Sequence, residues 1–174
     1  MTDKIHHYEV SVIWTGNKGN GTQTYQGYER TLEIVAPGKP AIPGTSDSAF
    51  RGDPQRWNPE ELLVASVSAC HKLWYLALCA QDGVVVIAYE DNAEGFLAEE
   101  PCGSGQFTSI ILRPHVTISA QSSEAKALSI HQTAHKMCFI ARSMNFPLSI
   151  EPVIIKGAVK LRQEFGSAHM VRNT

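Results

Sequence analysis

The sequence predicts an α+β fold with the element order ββ-α-ββ-α-β. The strand-like segments are apolar or alternate apolar and polar residues with period two, and most occur in pairs rather than singly between helices. Two other segments are long enough and well enough capped to be helices. This grouping favours α+β over a doubly wound parallel sheet. The 174 residues suit one core, so we expect a single domain over 1–174, with a loose tail at 163–174.

Composition and charge narrow the class of protein. Hydrophobic residues make up 43% and charged residues 18%, which is typical of a globular chain. The net charge of -2 gives no electrostatic reason to expect a nucleic acid or an anionic membrane as partner. The N-terminus leads directly into a strand-like alternation, so we expect no signal peptide. The four cysteines follow one another at spacings of 9, 23 and 36 and resemble neither a disulfide scaffold nor a Cys-x-x-Cys metal site, so we expect a cytoplasmic protein with reduced thiols.

The N-terminal segments are predicted to form two strands. Residues 8–14 alternate with period two, and the glycine- and asparagine-rich cluster at 16–21 is a turn. A second strand region is expected at about 22–35. Residues 37–57 are rich in Pro, Gly, Ser and Asp, which predicts a loop.

The first helix has the clearest boundaries. Asn58 is a good N-cap, Pro59 suits the first helical position, and Glu60 and Glu61 carry charges that suit the positive end of a helix. We expect the helix to end near Gln81, before an Asp-Gly pair. Its apolar stretch at 62–80 carries serines, a histidine and a lysine near its middle, which favours a buried helix of a soluble protein over a membrane span.

The C-terminal half is predicted to contain strands at 84–89, 107–112 and 116–119. Ser122 or Ser123 caps a second helix that runs to about Met144. The region 150–161 closes the chain as a final strand.

Cys70 and Cys138 are the residues that suggest chemistry, since each lies in a predicted helix. A thiol inside an apolar helix is usually only a small hydrophobic residue. A reactive Cys70 needs a cation to stabilise its thiolate, because its helical neighbours are mainly apolar. The loop before the helix offers Arg51 and Arg56, and Glu60 is a carboxylate that could hold an arginine in place.

Geometry constrains the role of Glu60. Ten residues at about 1.5 Å each place it roughly 15 Å from Cys70 along the helix axis. If Glu60 serves the Cys70 site, the two residues could come from different subunits, which requires a dimer.

The remaining thiols and the second helix leave alternatives open. His131, His135 and Cys138 follow one helical stripe, so His135 could activate Cys138, the three could bind zinc, or the stripe could be structural with the histidines at the surface. Cys79 is expected to face away from Cys70, in the core. Cys102 is expected to be incidental, with a resolving thiol as the alternative.

The chain resembles the OsmC/Ohr family of thiol-dependent hydroperoxide reductases. The resemblance is carried by the segments NPEELLVA at 58–65 and SACH at 68–71. The ten-residue step from Glu60 to Cys70, the second cysteine towards the C-terminal third, the WTGN strand-turn at 14–17 and the final strand also resemble the family. The similarity therefore spans almost the whole chain.

The resemblance implies an intertwined homodimer in which antiparallel sheets wrap around two central helices. It implies that the thiolate of Cys70 attacks the distal peroxide oxygen, that Cys138 resolves the sulfenic acid as a disulfide, and that an external dithiol, of lipoyl type in the family, reduces it. Glu60 matches the glutamate that holds the catalytic arginine, and Arg51 is the best match to that arginine. Neither a cofactor nor a metal is expected.

Two departures from the family pattern affect these roles. Cys138 is followed by Phe139 and two further apolar residues, where familiar members often have proline and small polar residues. The Ohr branch carries its arginine in a Gly-Gly-Arg turn, where this chain offers only Arg30, so the arginine could be Arg51, Arg56 or Arg30. The apolar neighbours of Cys70 predict a pocket for organic hydroperoxides, formed by Val67, Leu73, Trp74 and Phe139.

A second function remains possible from the sequence. The chain could be a non-catalytic dimer whose apolar interface binds a hydrophobic small molecule, with Cys70 serving only as a core residue. The two functions differ chemically, because a peroxidase has one hyper-reactive thiol whereas a core cysteine reacts slowly until the protein unfolds.

Overall fold

The computed structural model describes residues 4–157 and divides the chain into two compact units, one up to Ser66 and one from Val67. The predicted tail at 163–174 lies outside the described residues. The fold class is α+β, as predicted. Each unit has its own sheet structure, and the first helix runs from one unit into the other.

The N-terminal unit is a three-stranded antiparallel meander of β1 (Ser11–Trp14), β2 (Leu32–Val35) and β3 (Ile42–Gly44). β2 is much shorter than the predicted 22–35, and β3 lies inside the segment predicted as a loop. The Trp14 indole donates to the Glu29 carbonyl at 2.9 Å, and the Thr15 N–H donates to the Thr31 carbonyl at 3.0 Å. These bonds tie the end of the long connection before β2 to the residues at the end of β1.

Helix α1 (Pro59–Gln81) has the predicted bounds. Asn58 and Glu61 form a reciprocal capping box: the Glu61 N–H donates to Asn58 Oδ1 at 2.7 Å, and the Asn58 N–H donates to Glu61 Oε2 at 3.2 Å. Gly83, which follows the helix by two residues, has a φ of 73°, a left-handed conformation that glycine adopts without strain. Local signals therefore define both ends.

Among the described residues, α1 is the one helix long and apolar enough to cross a membrane, with a mean hydropathy of 1.5. Core helices of soluble proteins meet the same criterion, so length and composition are weak evidence for a span. Four of its 23 residues are buried, Val67, His71, Tyr75 and Cys79, and their four-residue spacing places them on one face.

The second unit contains two three-stranded sheets. One has the order β4 (Val86–Asp91), β7 (Pro114–Ile118), β9 (Val153–Lys156), and the other β5 (Glu94–Glu99), β6 (Gly105–Leu112), β8 (Leu148–Ile150). The first pair in each sheet is antiparallel, whereas β8 and β9 pair parallel to their neighbours. Each of these two sheets therefore has one parallel edge strand beside its antiparallel pair, whereas antiparallel sheets were predicted. Strand β5 was not predicted.

The core of the second unit lies between α1, the β4–β7–β9 sheet and helix α2 (Glu124–Met137). Its buried members are Tyr75, Cys79, Val84, Val116, Ile118, Ala127, Ile130 and Ala134. Cys79 is thus a core residue, as predicted. Ser123 is the N-cap of α2, accepting from the Lys126 N–H at 3.3 Å.

The predicted C-terminal end of the second helix is wrong. Helix α2 ends at Met137 rather than near Met144, and a separate short helix α3 spans Phe139–Arg142. Cys138 lies between them with φ −69° and ψ 110°, an extended conformation that interrupts the helix. Cys138 is therefore a junction residue and not a residue in the middle of a helix.

Candidate functional site

Cys138 is held tightly at the junction of α2 and α3. Its N–H still donates to the Ala134 carbonyl at 2.9 Å, and its Sγ accepts the N–H of Ala141 at 3.4 Å as an N-cap of α3. The residue is 0% exposed. Its sulfur is therefore fixed in position and shielded from solvent.

The side chains of Cys70 and Cys138 lie close enough to influence each other's ionisation, although 67 residues separate them in the chain. Both thiols are free rather than oxidised. Burial, and after it the nearby Cys70 thiol, raises the pKa of the Cys138 thiol to about 11. Cys138 therefore keeps its proton at neutral pH.

The two sulfurs differ in access. Cys70 is half-buried, whereas Cys138 is fully enclosed. A small molecule arriving from solvent can reach Cys70 first. The enclosed Cys138 is not accessible to such a molecule in this structure.

An apolar wall adjoins the two thiols. The rings of Trp74 and Phe139 meet edge to face with centroids 5.7 Å apart, so residues from α1 and α3 predicted to share a pocket do touch. Leu73 and Phe139 are 64% and 63% exposed. Val67, the fourth predicted pocket residue, is completely buried on the face of α1 that carries His71 and Tyr75.

Glu60 differs from its neighbour Glu61 in having no partner. Glu61 is occupied by the capping box at the start of α1, whereas Glu60 Oε2 is buried and accepts no hydrogen bond from any described residue. A buried carboxylate oxygen without a donor is costly, so a donor from outside the described residues would stabilise it.

The three candidate arginines are engaged to different degrees. Arg30 lies between the rings of Tyr25 and Tyr28, at 4.3 and 4.2 Å from their centroids, and donates to both of their carbonyls. Arg56 is 3.6 Å from the carboxylate of Asp53. Arg51 makes no ion pair or side-chain hydrogen bond among the described residues. Its guanidinium lies 5.9 Å from the Tyr25 ring and close enough to Glu29 to add, behind Lys18, to the lowered pKa of that carboxyl group.

Arg51 also has an unusual backbone. Its φ of 68° and ψ of 27° place it in the left-handed region, where it ends a short 3-10 turn at Ser48–Phe50. A non-glycine residue held there is uncommon and costs about 1 kcal/mol or more. No described hydrogen bond or ion pair joins Arg51 to Glu60, so the predicted pair is not formed within one chain.

A buried histidine pair was missed by the sequence analysis. His71 Nε2 and His131 Nδ1 are 2.9 Å apart, and the His131 ring stacks on Tyr75 with centroids 3.9 Å apart. Burial lowers the pKa of His71 to about 4 and that of His131 to about 3, so both rings are neutral. The alternative that places the histidines of the second helix at the surface is wrong for His131, which is buried. The four-residue spacing of Val67, His71 and Tyr75, which places them on one face of α1, was the sequence signal that could have indicated a buried His71.

The zinc alternative for the second helix finds no support. His131 Nδ1 is committed to His71, and no group of three or more His, Cys, Asp or Glu side chains within residues 4–157 is placed to hold a metal ion. Cys102 is exposed in the turn after β5, where Ser104 Oγ lies 3.2 Å from its sulfur and lowers its pKa. Its surroundings contain no second cysteine.

Comparison with known proteins identifies the family. The family model described as OsmC-like protein matches residues 52–152, more than half of the chain. The chain belongs to the OsmC-like protein family. The match includes Glu60 and both cysteines of the thiol pair. No protein with a curated function matches the sequence significantly.

Solved structures of OsmC-like proteins have the same fold. An OsmC-like protein of unknown function from Vibrio cholerae is 27% identical, with a TM-score of 0.78 over 86% of this chain and 100% of that one. An organic hydroperoxide resistance protein OsmC from Legionella pneumophila is 13% identical, with a TM-score of 0.62 over 88% and 99%. An organic hydroperoxide resistance protein from Elizabethkingia anophelis is 14% identical, with a TM-score of 0.59 over 87% and 99%. The last two similarities show the fold alone.

Proposed function

We propose that this OsmC-like protein is a cysteine peroxidase that reduces organic hydroperoxides to alcohols. The Cys70 thiolate attacks the distal oxygen of ROOH; the O–O bond breaks, Cys70 becomes a sulfenic acid, and the alkoxide leaves with a proton as ROH. The Cys138 sulfur then attacks the sulfenic sulfur, a Cys70–Cys138 disulfide forms, and water is released. An external dithiol reduces the disulfide by exchange and is itself oxidised.

The proximity of the Cys70 and Cys138 thiols carries this proposal. Two cysteines that form a disulfide need Cα atoms about 4.4–6.8 Å apart, and thiols that already lie close together need little movement to satisfy that requirement. The half-buried Cys70 suits the first attack. Cys138 must give up its proton to attack the sulfenic sulfur, and the hydroxide that leaves that sulfur takes the proton and departs as water.

Arg51 and Glu60 are proposed to orient the peroxide and stabilise its developing charge. Arg51 is favoured over Arg30 and Arg56 because its guanidinium has no described ion pair or hydrogen bond. Glu60 has a buried carboxylate oxygen that awaits a donor. A bidentate arginine–carboxylate pair would satisfy both groups.

A homodimer is proposed to complete the site. OsmC/Ohr family members are typically dimers, and α1 has only four buried residues among its 23 in the single chain, with Leu73 64% exposed. The roughly 15 Å rise from Glu60 to Cys70 along α1 also favours a glutamate supplied by the second subunit. The proposed location is the cytoplasm, where external dithiols are available and thiols stay reduced.

Organic rather than hydrogen peroxide is the proposed substrate. Leu73, Trp74 and Phe139 offer exposed or half-buried apolar surface beside the thiols, which would bind the alkyl group of an organic hydroperoxide. Two proteins with the same fold are named organic hydroperoxide resistance proteins, which supports the same class of substrate.

The test is a free-thiol count and an intact mass after one equivalent of cumene hydroperoxide. Wild type should lose two thiols and gain no oxygen, while Cys70→Ser should lose none. Cys79→Ser removes a core thiol outside the proposed pair and should behave as wild type if it folds. An unchanged thiol count in all three proteins would make Cys70 a packing residue.

If the thiol count does not change, the binding of a hydrophobic small molecule becomes the better-supported function. The exposed Leu73 and Phe139 side chains would then belong to a non-catalytic dimer that binds a hydrophobic small molecule. Saturable binding of an apolar fluorescent probe, with equal affinity before and after Cys70 alkylation, would support it.

A further inference from the structure

A basic cavity lies beside Cys138. Its volume is about 400 Å³, and it is open to solvent and lined by His135, Lys136, Ala141 and Arg142. Lys136 and Arg142 are cations, and His135 and Ala141 lie beside them, at the end of α2 and in α3. The cavity therefore combines positive charge with space for a ligand group.

The cavity wall is continuous with the Cys138 environment. The Cys138 N–H points to the His135 carbonyl at 3.4 Å, and Ala141 donates its N–H to Cys138 Sγ at the same distance. The Arg142 N–H donates to the Cys138 carbonyl at 3.0 Å. The backbones of three of the four lining residues thus hydrogen-bond to Cys138, so the cavity lies at the junction of α2 and α3 that holds this cysteine.

The positive charge of the cavity is not neutralised by acidic side chains of the described residues. Lys136 and Arg142 are both exposed, and neither forms an ion pair within residues 4–157. His135 adds a buried Nδ1 that has no described hydrogen-bond partner. This local charge contrasts with the net charge of -2 for the whole chain.

Helix dipoles explain part of this arrangement. Lys136 lies in the last turn of α2 and Arg142 in the last turn of α3, where positive charge is favourable by a few tenths to about 1 kcal/mol. That effect does not require the two cations to share a cavity, nor does it explain why a cavity-lining histidine has a buried Nδ1 without a hydrogen-bond partner among the described residues.

We propose that this basic cavity binds a carboxylate carried on the aliphatic chain of a molecule that reacts at the thiols, with Lys136 and Arg142 as the specificity-determining cations. The inference rests on the proposed peroxidase function and deepens it. The carboxylate could belong to the hydroperoxide or to the dithiol reductant, because both must approach the same sulfur pair. The apolar wall of Trp74 and Phe139 would hold the intervening methylene groups.

Turnover with charge-matched pairs distinguishes the two sources. The first pair is a medium-chain ω-hydroperoxy acid and its methyl ester; the second is dihydrolipoate and dihydrolipoamide as reductants. The double variant Lys136→Met with Arg142→Met should lower kcat/KM about tenfold for the charged member of one pair and less than twofold for its neutral partner. The pair that responds identifies the source.

Lys126→Met is the matched control, since Lys126 is a half-exposed cation on the same helix that pairs with Asp82 instead of facing the cavity. It should leave both charge preferences unchanged. Equal kcat/KM losses for charged and neutral members in the double variant, or no loss for any of them, would overturn the proposal.

A binding measurement keeps this inference separate from the peroxidase proposal. Octanoate and octanol are titrated calorimetrically into wild type and the double variant. Wild type should bind octanoate at least tenfold more tightly than octanol, and the double variant should lose that preference. Retained preference without peroxide turnover would leave the carboxylate site standing while the peroxidase proposal fails. Equal affinity for the two ligands in wild type would overturn the site.

Discussion

His71 Nε2 lies 2.9 Å from His131 Nδ1 in the buried interior of the second unit, although the two residues are 60 positions apart. Each ring is almost inaccessible to solvent, and the pair is stacked against Tyr75. Two imidazoles in this contact cannot both be charged without strong repulsion and loss of solvation. The pair therefore ties the stability of α1 and α2 packing to pH.

We predict that the free energy of unfolding falls as the pH falls below about 6.5. The pKa of His71 drops from its ordinary 6.5 to about 4 on folding, and that of His131 to about 3, so the unfolded chain binds protons first. The stability is fully present above pH 6.5 and is lost as the pH falls towards 4. Urea unfolding at pH 7.5 and pH 5 should differ by on the order of 2 kcal/mol for His71 alone.

The control for this prediction is His115→Gln, which removes an exposed imidazole on β7. It should leave the pH dependence unchanged, whereas the double variant His71→Asn with His131→Asn should flatten it even if its stability is lower throughout. A wild-type free energy that is equal at the two pH values would contradict the neutral buried pair.

Glu60 and Glu61 provide a matched pair of adjacent carboxylates. Glu60→Gln should lower turnover of cumene hydroperoxide about a hundredfold, because a misplaced arginine loses the orientation of the peroxide. Glu61→Gln keeps an oxygen that accepts the Asn58 N–H and removes only a charge near the start of α1, so it should cost about 0.5 kcal/mol of stability or less, with little change in turnover. The measurements are steady-state kinetics and thermal unfolding. Equal kinetic losses in both variants would argue against a special role for Glu60.

Arg51 is predicted to be the functional arginine. Arg51→Met should slow the reaction of Cys70 with hydroperoxide about a hundredfold by removing positive charge from the developing oxyanion. Arg30→Met should act mainly on the N-terminal unit, because its guanidinium is already used by Tyr25 and Tyr28. The two variants are compared by stopped-flow oxidation kinetics, after circular dichroism has shown that both are folded like the wild type. A larger kinetic loss in the Arg30 variant would reassign the role.

Trp74 is predicted to select for organic hydroperoxides. Trp74→Ala removes the edge-to-face partner of Phe139 and should lower kcat/KM for cumene hydroperoxide about tenfold, the effect of roughly 1.4 kcal/mol of binding energy. Hydrogen peroxide, which has no alkyl group, should react at an unchanged rate. Leu128→Ala, a half-exposed apolar truncation on α2, is the control for general destabilisation. A parallel loss for both peroxides would contradict an alkyl-binding wall.

Helix α1 was predictable from the sequence because its boundaries are set by local interactions. Asn58 and Glu61 cap its start through contacts three residues apart, and the glycine at position 83 follows its end. The end of α2 was not predictable in this way. Neither glycine nor proline interrupts the helical pattern at Cys138; an extended backbone and a thiol cap on Ala141 do so.

The missed strands depend on partners distant in sequence. β5 has glutamates at both ends and a glycine near its start, so its own pattern is weak, and it becomes a strand by pairing along the whole of β6. The histidine pair was missed for the same reason. A contact between residues 60 positions apart produces no sequence periodicity other than the buried face of α1. The resemblance named Cys70 and Cys138, but only folding places their side chains in contact.

The most direct test of the thiol mechanism is the fate of Cys70 when its proposed partner is removed. Cys138→Ser, treated with one equivalent of cumene hydroperoxide and then dimedone, should carry one dimedone adduct on the Cys70 peptide in tandem mass spectrometry, while wild type should instead give a linked Cys70–Cys138 peptide. No adduct at Cys70 in the variant, together with no linked peptide in wild type, would contradict the account and leave Cys70 as a packing residue.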